Sequence, residues 1–253
     1  MDGVRPIPWL QPTGPLVRRV FRGRGINKLA ATVVLGACAA APQGSFEAQR
    51  ARMVASQIES RGVRDPAVLR AMRKVPRERF VPAPLRASAY DDRPLPIGLE
   101  QTISQPYIVA LMTELAQPRA GMKVLEVGTG SGYQAAVLAE IVGSVVSVEI
   151  LPELGRRASA TLGELGYANV RVIVGDGFDG RPDEAPFDAI VVTAAPERIP
   201  PPLLEQLALG GRLVIPVGSS DQELLVVTRS SDGYSRRSVI PVRFVPMTGK
   251  ARD

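Results

Sequence analysis

Residues 124–133, which read VLEVGTGSGY, constrain this chain more than any other part of its sequence. An apolar run predicts a strand, and the helical pattern of residues 134–142 follows it, so the segment has the order that opens a βαβ unit. Glycines in the connecting turn let the backbone approach a ligand closely. The three candidate glycines are Gly128, Gly130 and Gly132.

The spacing of these glycines distinguishes between cofactors. A dinucleotide fingerprint reads G-x-G-x-x-G, whereas this chain has G-x-G-x-G. Glu126, two residues before the first glycine, would repel a pyrophosphate and would suit a ligand with an ammonium or sulfonium group. The combination predicts S-adenosylmethionine as the cofactor. The plainer alternative is a glycine turn that only connects a strand to a helix.

Two further acids stand at the ends of predicted strands. Residues 145–148 form a β-branched run that ends at Glu149, where a carboxylate commonly accepts hydrogen bonds from ribose hydroxyls. Residues 170–174 form a third run, which closes in Gly175, Asp176 and Gly177. We expect Asp176 beside the adenine amino group and Gly177 in the same cofactor site.

The rarest residue types exclude several chemistries. The sequence has no histidine and a single cysteine, Cys38, which excludes Ser-His-Asp hydrolysis, His-ligated zinc and an intrachain disulfide. We expect no metal. Methyl transfer to a carboxylate is compatible with these absences, because an acid with a pKa near ~4 is already ionised at neutral pH.

The net charge of +6 is concentrated at the N-terminus. Residues 1–45 carry six basic residues and one acid, which gives +5 and leaves only +1 for the remaining chain. With 5% aromatic residues, that remainder lacks the basic stripe and the stacking surface typical of nucleic-acid binding. We expect no nucleic-acid partner.

Residues 1–45 also differ in pattern from the rest. Basic residues precede the apolar run 29–41, as in a signal peptide, and residues 35–38 resemble a lipoprotein cleavage site that ends at Cys38. The protein would then be exported or lipid-anchored. The alternative is that residues 1–45 are a disordered extension or result from a wrongly chosen start codon. The enzyme would then be cytoplasmic. The expected location is the cytoplasm, because the cofactor is made there.

Residues 46–253 are predicted to form a single α/β domain. We expect N-terminal helices and a substrate loop in residues 46–121, a cofactor-binding core in 122–217 and antiparallel strands in 218–253. The helices are predicted at 46–62, 65–75, 108–115 and 200–207, and a proline-rich loop at 81–99. The later strands are predicted at 188–192, 212–217, 224–228 and 239–245.

A resemblance to a known family becomes specific at residues 95–107, which read LPIGLEQTISQPY. Together with VLEVGTGSGY, this segment resembles the protein-L-isoaspartate O-methyltransferases. Further pieces agree in order: VPRERFV at 75–81, GDG at 175–177, PFDAIVVTAA at 186–195 and RFVP at 243–246. The match extends over roughly residues 46–247.

The resemblance implies a class I methyltransferase fold: a seven-stranded, mostly parallel sheet with flanking helices, an N-terminal helical addition and antiparallel C-terminal strands. It implies an enzyme that transfers the methyl of S-adenosylmethionine to the α-carboxyl of L-isoaspartyl residues in damaged proteins and peptides, and less well to D-aspartyl residues. We expect the protein to be a monomer. The ester then forms a succinimide, which reopens partly as normal aspartate. Ser104 matches the hydroxyl that the family assigns to the substrate carboxylate.

One position in that segment departs from the family. Leu99 stands where a polar or aromatic residue is usual, so the choice of peptide is affected more than the type of reaction. Three other functions compete with repair: a small-molecule carboxyl methyltransferase, a noncatalytic module that keeps the cofactor fold, and an NAD-dependent oxidoreductase. The last is disfavoured by the glycine spacing and by the missing histidine.

Overall fold

The computed structural model describes residues 44–252. Its helices are α1 (Phe46–Met53), α2 (Pro66–Lys74), α3 (Pro106–Ala116), α4 (Tyr133–Ala139), α5 (Pro152–Glu164) and α6 (Pro201–Glu205). Its strands are β1 (Leu95–Gly98), β2 (Gln101–Ile103), β3 (Lys123–Val127), β4 (Ser144–Glu149), β5 (Val170–Val174), β6 (Phe187–Val192), β7 (Leu207–Val217), β8 (Gln222–Ser230) and β9 (Gly233–Val242).

Seven of these strands form one sheet in the order β5-β4-β3-β6-β7-β8-β9. The pairs from β5 to β7 are parallel, whereas β7–β8 and β8–β9 are antiparallel. The chain reverses its direction of strand addition after β5, which leaves a switch point between β3 and β6. Ligands of open α/β sheets bind outside the carboxyl ends of the strands at such a point.

The central strands of the sheet are buried on both faces, which explains why they read as continuous apolar runs. On β3, Val124 packs into the apolar layer that contains most of the helices, while Leu125 and Val127 pack into the layer on the other face. Each layer therefore uses alternate residues of a strand, as the two-residue period of a strand requires.

The N-terminal helices form where the sequence predicts them. Asp65 caps α2 by accepting hydrogen bonds from the backbone N–H groups of Ala67 and Val68, and Pro66 occupies the first helical position. The predicted helix 46–62 is also present. Its first part is α1, and it continues as a π-helical turn over Val54–Ile58 and a 3₁₀ turn over Glu59–Arg61.

The segment 81–99 differs from the predicted loop. It contains a 3₁₀ helix at Ala83–Ser88, and its last residues form β1, which pairs antiparallel with β2 to make a hairpin. The sequence at the hairpin's tip has none of the usual turn residues, which is why the hairpin was not predicted.

Two predicted boundaries in the C-terminal third are wrong. β7 begins at Leu207, inside the predicted helix 200–207 and before the glycine pair at 210–211. β9 runs over Gly233–Val242, not over residues 239–245. β9 is an edge strand with a largely exposed surface, so polar residues fill its first half and no apolar pattern marks where it begins.

The predicted N-terminal extension, residues 1–45, lies outside the described residues apart from Gly44 and Ser45. The signal-like run and Cys38 are therefore not described. Among residues 44–252, no helix combines the length and the apolar character needed to cross a membrane.

Candidate cofactor and active site

A cavity lies at the carboxyl ends of β3, β4 and β6. The turn after β3, the end of β4, the β1–β2 hairpin and the segment 245–248 each supply part of its wall. Its lining residues are Gln101, Thr102, Val127, Gly128, Gly130, Val148, Glu149, Ile150, Leu151, Gly177, Thr193, Ala194, Val245, Pro246, Met247 and Thr248. This is the position at which an open α/β sheet binds its ligand.

Glu149 is the acid that lines this cavity. It is the last residue of β4, and only 5% of its surface is exposed. Oε2 accepts a hydrogen bond from the backbone N–H of Gly130 over 2.8 Å, and Oε1 accepts one from Leu151 over 2.9 Å. Both bonds fix the orientation of the carboxylate and still leave a lone pair on each oxygen. The group can therefore accept hydrogen bonds from a pair of ligand hydroxyls.

The first turn of the glycine loop requires glycine at Gly128. Its φ is +95°, and a Cβ at this position would lie 2.4 Å from Oγ1 of Thr193. The same Thr193 hydroxyl donates to the backbone oxygen of Gly128 over 2.5 Å. The end of β6 thus holds the loop in place, and no side chain can fit between them.

Glu126 lies beneath the loop and does not line the cavity. It has no exposed surface, and its Oε2 accepts a hydrogen bond from the hydroxyl of Ser147. The hydroxyl of Ser147 is in turn 2.5 Å from that of Thr129, which belongs to the glycine loop. The other carboxylate oxygen of Glu126, Oε1, has no hydrogen-bond partner among the described residues.

Burial raises the pKa of Glu126 from its ordinary 4.5 to about 8. The Ser147 hydroxyl and the Ala135 backbone amide act in the opposite direction, while the negative charge of Glu149 adds to the rise. An acid without a cationic partner in this position is costly to ionise. A ligand that brings positive charge near the loop would favour the ionised form.

Asp176 and Gly177 take different positions at the end of β5. Gly177 lines the cavity, and a Cβ on it would lie 2.3 Å from Cγ1 of Val127. Any side chain at this position would therefore displace Val127, which also lines the cavity. Asp176 lies outside the lining. Its Oδ1 accepts from the backbone N–H of Phe178 over 2.9 Å, and its Oδ2 accepts from that of Lys250 over 2.8 Å.

The QTIS segment approaches the cavity from the hairpin side. Gln101 and Thr102 line the cavity, whereas Ser104, half-buried between β2 and α3, does not. Within residues 44–252 the Ser104 hydroxyl makes no hydrogen bond, so it is free to receive one from a ligand or to donate one. Gln105 turns away, because its amide donates to Oδ1 of Asp92 over 2.8 Å.

The segment 245–248 crosses the carboxyl edge of the sheet and closes the cavity from above. Ala195 donates to the backbone oxygen of Val245 and accepts from the N–H of Met247, each over 2.8 Å. Further along, Lys250 is held by Asp176 and, through its Nζ, by Asp179. The segment is therefore tied down on both sides of the cavity.

Four of the predicted site residues thus share one cavity: Gly128, Gly130, Glu149 and Gly177. Glu126 lies below it, and Ser104 and Asp176 lie outside its lining. Gly132 is the N-cap of α4, where an added Cβ would lie 3.2 Å from Leu162 of α5. Sequence reasoning missed Ile150 and Met247, which add apolar surface. The position of Ile150 directly after Glu149 and that of Met247 just after RFVP were the available signals.

The residues present fit S-adenosylmethionine. A rigid carboxylate with free lone pairs suits the ribose, the apolar residues Val148, Ile150 and Met247 suit a flat base, and the buried acid Glu126 suits positive charge near the loop. Among residues 44–252, no cluster of acids or cysteine could hold a metal ion. The fold and this cavity define a class I, S-adenosylmethionine-dependent methyltransferase.

Comparisons with known proteins narrow that class. The family model of protein-L-isoaspartate(D-aspartate) O-methyltransferase (PCMT) matches residues 48–252. A protein-L-isoaspartate O-methyltransferase of Gloeobacter violaceus is 62% identical over 198 residues, which cover 78% of this chain and 97% of that protein. One of Opitutus terrae is 53% identical over 225 residues, which cover 88% and 97%.

Solved structures agree with the fold. A protein-L-isoaspartate O-methyltransferase superimposes with a TM-score of 0.73 at 32% identity, and the match covers 80% of this chain and 67% of that one. A putative enzyme of this name from Plasmodium falciparum, in complex with S-adenosyl-L-homocysteine, gives a TM-score of 0.68 at 24% identity, with 79% and 98% covered. The chain belongs to the protein-L-isoaspartate O-methyltransferase family.

Proposed function

We propose that this protein repairs damaged proteins by transferring the methyl group of S-adenosylmethionine to the α-carboxyl of L-isoaspartyl residues, and less well to D-aspartyl residues. The ester that forms collapses to a succinimide, which reopens partly as normal aspartate. One observation carries the proposal: the QTIS segment and the glycine loop of this family's sequence pattern contribute to the same cavity, through Gln101 and Thr102 on one side and Gly128 and Gly130 on the other.

The cofactor is held, in this proposal, by the loop at Gly128–Gly132 and by the two acids at its edges. Glu149 accepts hydrogen bonds from the ribose hydroxyls with the lone pairs that its two backbone contacts leave free. Asp176 accepts from the adenine amino group, beside its contact with Lys250. Glu126 acts from below the loop, where a positively charged ligand favours the ionised form of its carboxyl group and is stabilised by it.

The substrate carboxylate is positioned by Ser104. Its hydroxyl has no partner within the described part of the chain, so it can donate one hydrogen bond to the carboxylate at no cost to the fold. Thr102, which lines the cavity, is a second hydroxyl on the same side. No general base is needed, because the attacking carboxylate is ionised at neutral pH.

The chain's contribution to the reaction is therefore mostly placement. S-adenosylmethionine supplies an activated methyl group when it is bound. The hairpin holds the carboxylate in line for the displacement, and the segment 245–248 limits the access of water to the cavity. Alignment of reacting groups alone can contribute several kcal/mol, on the order of 7–11 in well-oriented systems.

Transfer of a labelled methyl group to a synthetic peptide that contains L-isoaspartate tests the proposal. The matched peptide with L-aspartate is the control, and we expect label in the isoaspartyl peptide alone. Cofactor binding without labelling of either peptide would contradict the proposal.

A further proposal concerns the location and the oligomeric state of the protein. We place the enzyme in the cytoplasm as a monomer, with a membrane contact only if residues 1–45 act as a lipoprotein signal.

A further inference from the structure

The tip of the β1–β2 hairpin has a backbone conformation that its residues do not favour. Gly98 pairs with Gln101, which leaves Leu99 and Glu100 as a two-residue turn. Their φ angles are +52° and +58°. Turns with positive φ at both central residues normally use Asn-Gly or a similar pair, because a Cβ is strained in this region. A leucine here is a clear outlier.

This strain is not compensated by packing. Leu99 is 46% exposed, one of five exposed large apolar residues among residues 44–252, and Glu100 is exposed as well. A leucine that is neither buried nor conformationally suited to its position contributes little to the stability of the hairpin. An outlier of this kind is a reason to look for a functional contact.

The turn stands at the rim of the cavity. Gln101 and Thr102 follow Leu99 and Glu100 directly and line the cavity. The side-chain amide of Gln101 donates to the backbone oxygen of Leu99 over 3.3 Å, which links the turn to the cavity wall. A peptide whose isoaspartyl residue enters the cavity beside Thr102 has its neighbouring residues at this rim.

We propose that Leu99 is a specificity-determining residue, which contacts an apolar side chain adjacent to the isoaspartyl residue of the substrate. The inference rests on the proposed function and deepens it. The exposed half of the leucine side chain loses contact with water when an apolar neighbour of the target residue covers it.

Two synthetic isoaspartyl peptides test this contact, one with leucine and one with serine on both sides of the target residue. The measured quantity is the ratio of kcat/KM for the two peptides. We expect the wild-type protein to prefer the leucine peptide, and Leu99→Asn to reduce that preference about fivefold through a higher KM. Leu99→Met, which keeps an apolar side chain, is expected to retain it.

Stability separates a substrate contact from a structural role. Asparagine suits positive φ, so Leu99→Asn should raise Tm by a few degrees while the preference falls. Glu100→Gly relieves strain in the same turn and keeps the leucine, so it should raise Tm and leave the preference unchanged. Leu209→Asn removes another exposed leucine, which is on β7 and outside the cavity lining, and should also leave the preference unchanged.

Each outcome decides one of the two proposals. A reduced leucine preference in Leu99→Asn with unchanged S-adenosylhomocysteine affinity in calorimetry supports the inference. An unchanged preference, or a lower Tm with weaker cofactor binding, overturns it and makes Leu99 structural. Failure of the wild-type protein to methylate either peptide overturns the proposed function, and the inference with it.

Discussion

The backbone N–H of Gly130 donates a hydrogen bond to Oε2 of Glu149, with 2.8 Å between the two heavy atoms. This contact joins the glycine loop after β3 to the end of β4, and it orients the carboxylate toward the cavity. The acid therefore holds the loop, and we propose that it also accepts hydrogen bonds from a ligand.

Glu149→Gln is expected to weaken S-adenosylmethionine binding about ten- to a hundredfold. An amide has one oxygen, so it cannot accept from both Gly130 and Leu151 and still serve two ligand hydroxyls; hydrogen bonds to a charged group are worth about 1.5–3 kcal/mol. Calorimetric titration measures the effect. Glu164→Gln, an exposed change on α5, is the matched control. Equal affinities in both variants would contradict the role of Glu149.

Ser104→Ala is expected to lower turnover of an isoaspartyl peptide about tenfold, which corresponds to one hydrogen bond of about 1.4 kcal/mol made to the substrate. Cofactor affinity should stay unchanged, because the partner of Ser104 is the substrate carboxylate. Steady-state kinetics together with calorimetry measure the two effects, and Ser104→Thr, which keeps the hydroxyl, is the control. If the alanine variant loses cofactor binding instead, Ser104 belongs to the cofactor side.

Glu126→Gln is expected to change how stability depends on pH. Burial raises the pKa of Glu126 from 4.5 to about 8, so between these values the folded protein holds a proton that the unfolded chain has released. The contribution of Glu126 to stability is therefore complete below pH 4.5 and is lost as the pH rises toward 8.

Glutamine does not titrate, so the stability of the variant relative to the wild type should rise through this window. The rise is at most about 1.4 kcal/mol for each pH unit. Denaturant unfolding of both proteins at pH 5, 6.5 and 8 measures the difference. A difference that is constant across these pH values would show that Glu126 is already ionised in the folded protein.

Gly128→Ala is expected to abolish cofactor binding and to lower the stability of the fold. Its Cβ would collide with the Thr193 hydroxyl at 2.4 Å, and its φ of +95° is unfavourable for alanine. Gly163→Ala, in the last turn of α5 with open space around the new Cβ, is the control and should stabilise by about 0.5–1 kcal/mol. Thermal unfolding and calorimetry compare the two. Intact binding in Gly128→Ala would mean that the loop can move away from β6.

The central parallel strands were predictable because they are buried on both faces and consist of apolar or small residues. The run at 145–148 has such a residue at every position, which is typical of a strand covered on both sides. The same reasoning could not detect the hairpin at residues 95–103. Its turn residues, Leu99 and Glu100, are ones that turn chemistry disfavours, so the local sequence contradicted the structure that it adopts.

The site could be predicted only where the residues are close in sequence to a strand end. Glu149 could be placed at the cavity because it ends β4, and its contact with the ribose stays a prediction. Glu126 stands at a similar position on β3, yet its environment depends on Ser147 of the neighbouring strand and on Ala135 of α4, which no local pattern reveals. The contact of Asp176 with Lys250 joins residues that are 74 positions apart, and the local sequence around one residue does not predict a contact with the other.

The cavity wall contains residues from Gln101 to Thr248, and its final portion is the segment that Ala195 and Asp176 hold across the sheet. During synthesis the ribosome releases the glycine loop long before it releases that segment. A nascent chain can therefore form β3 and α4 while the cavity still lacks the part of its wall that residues 245–248 supply. The wall of the cavity is complete only when Met247 reaches the folded sheet.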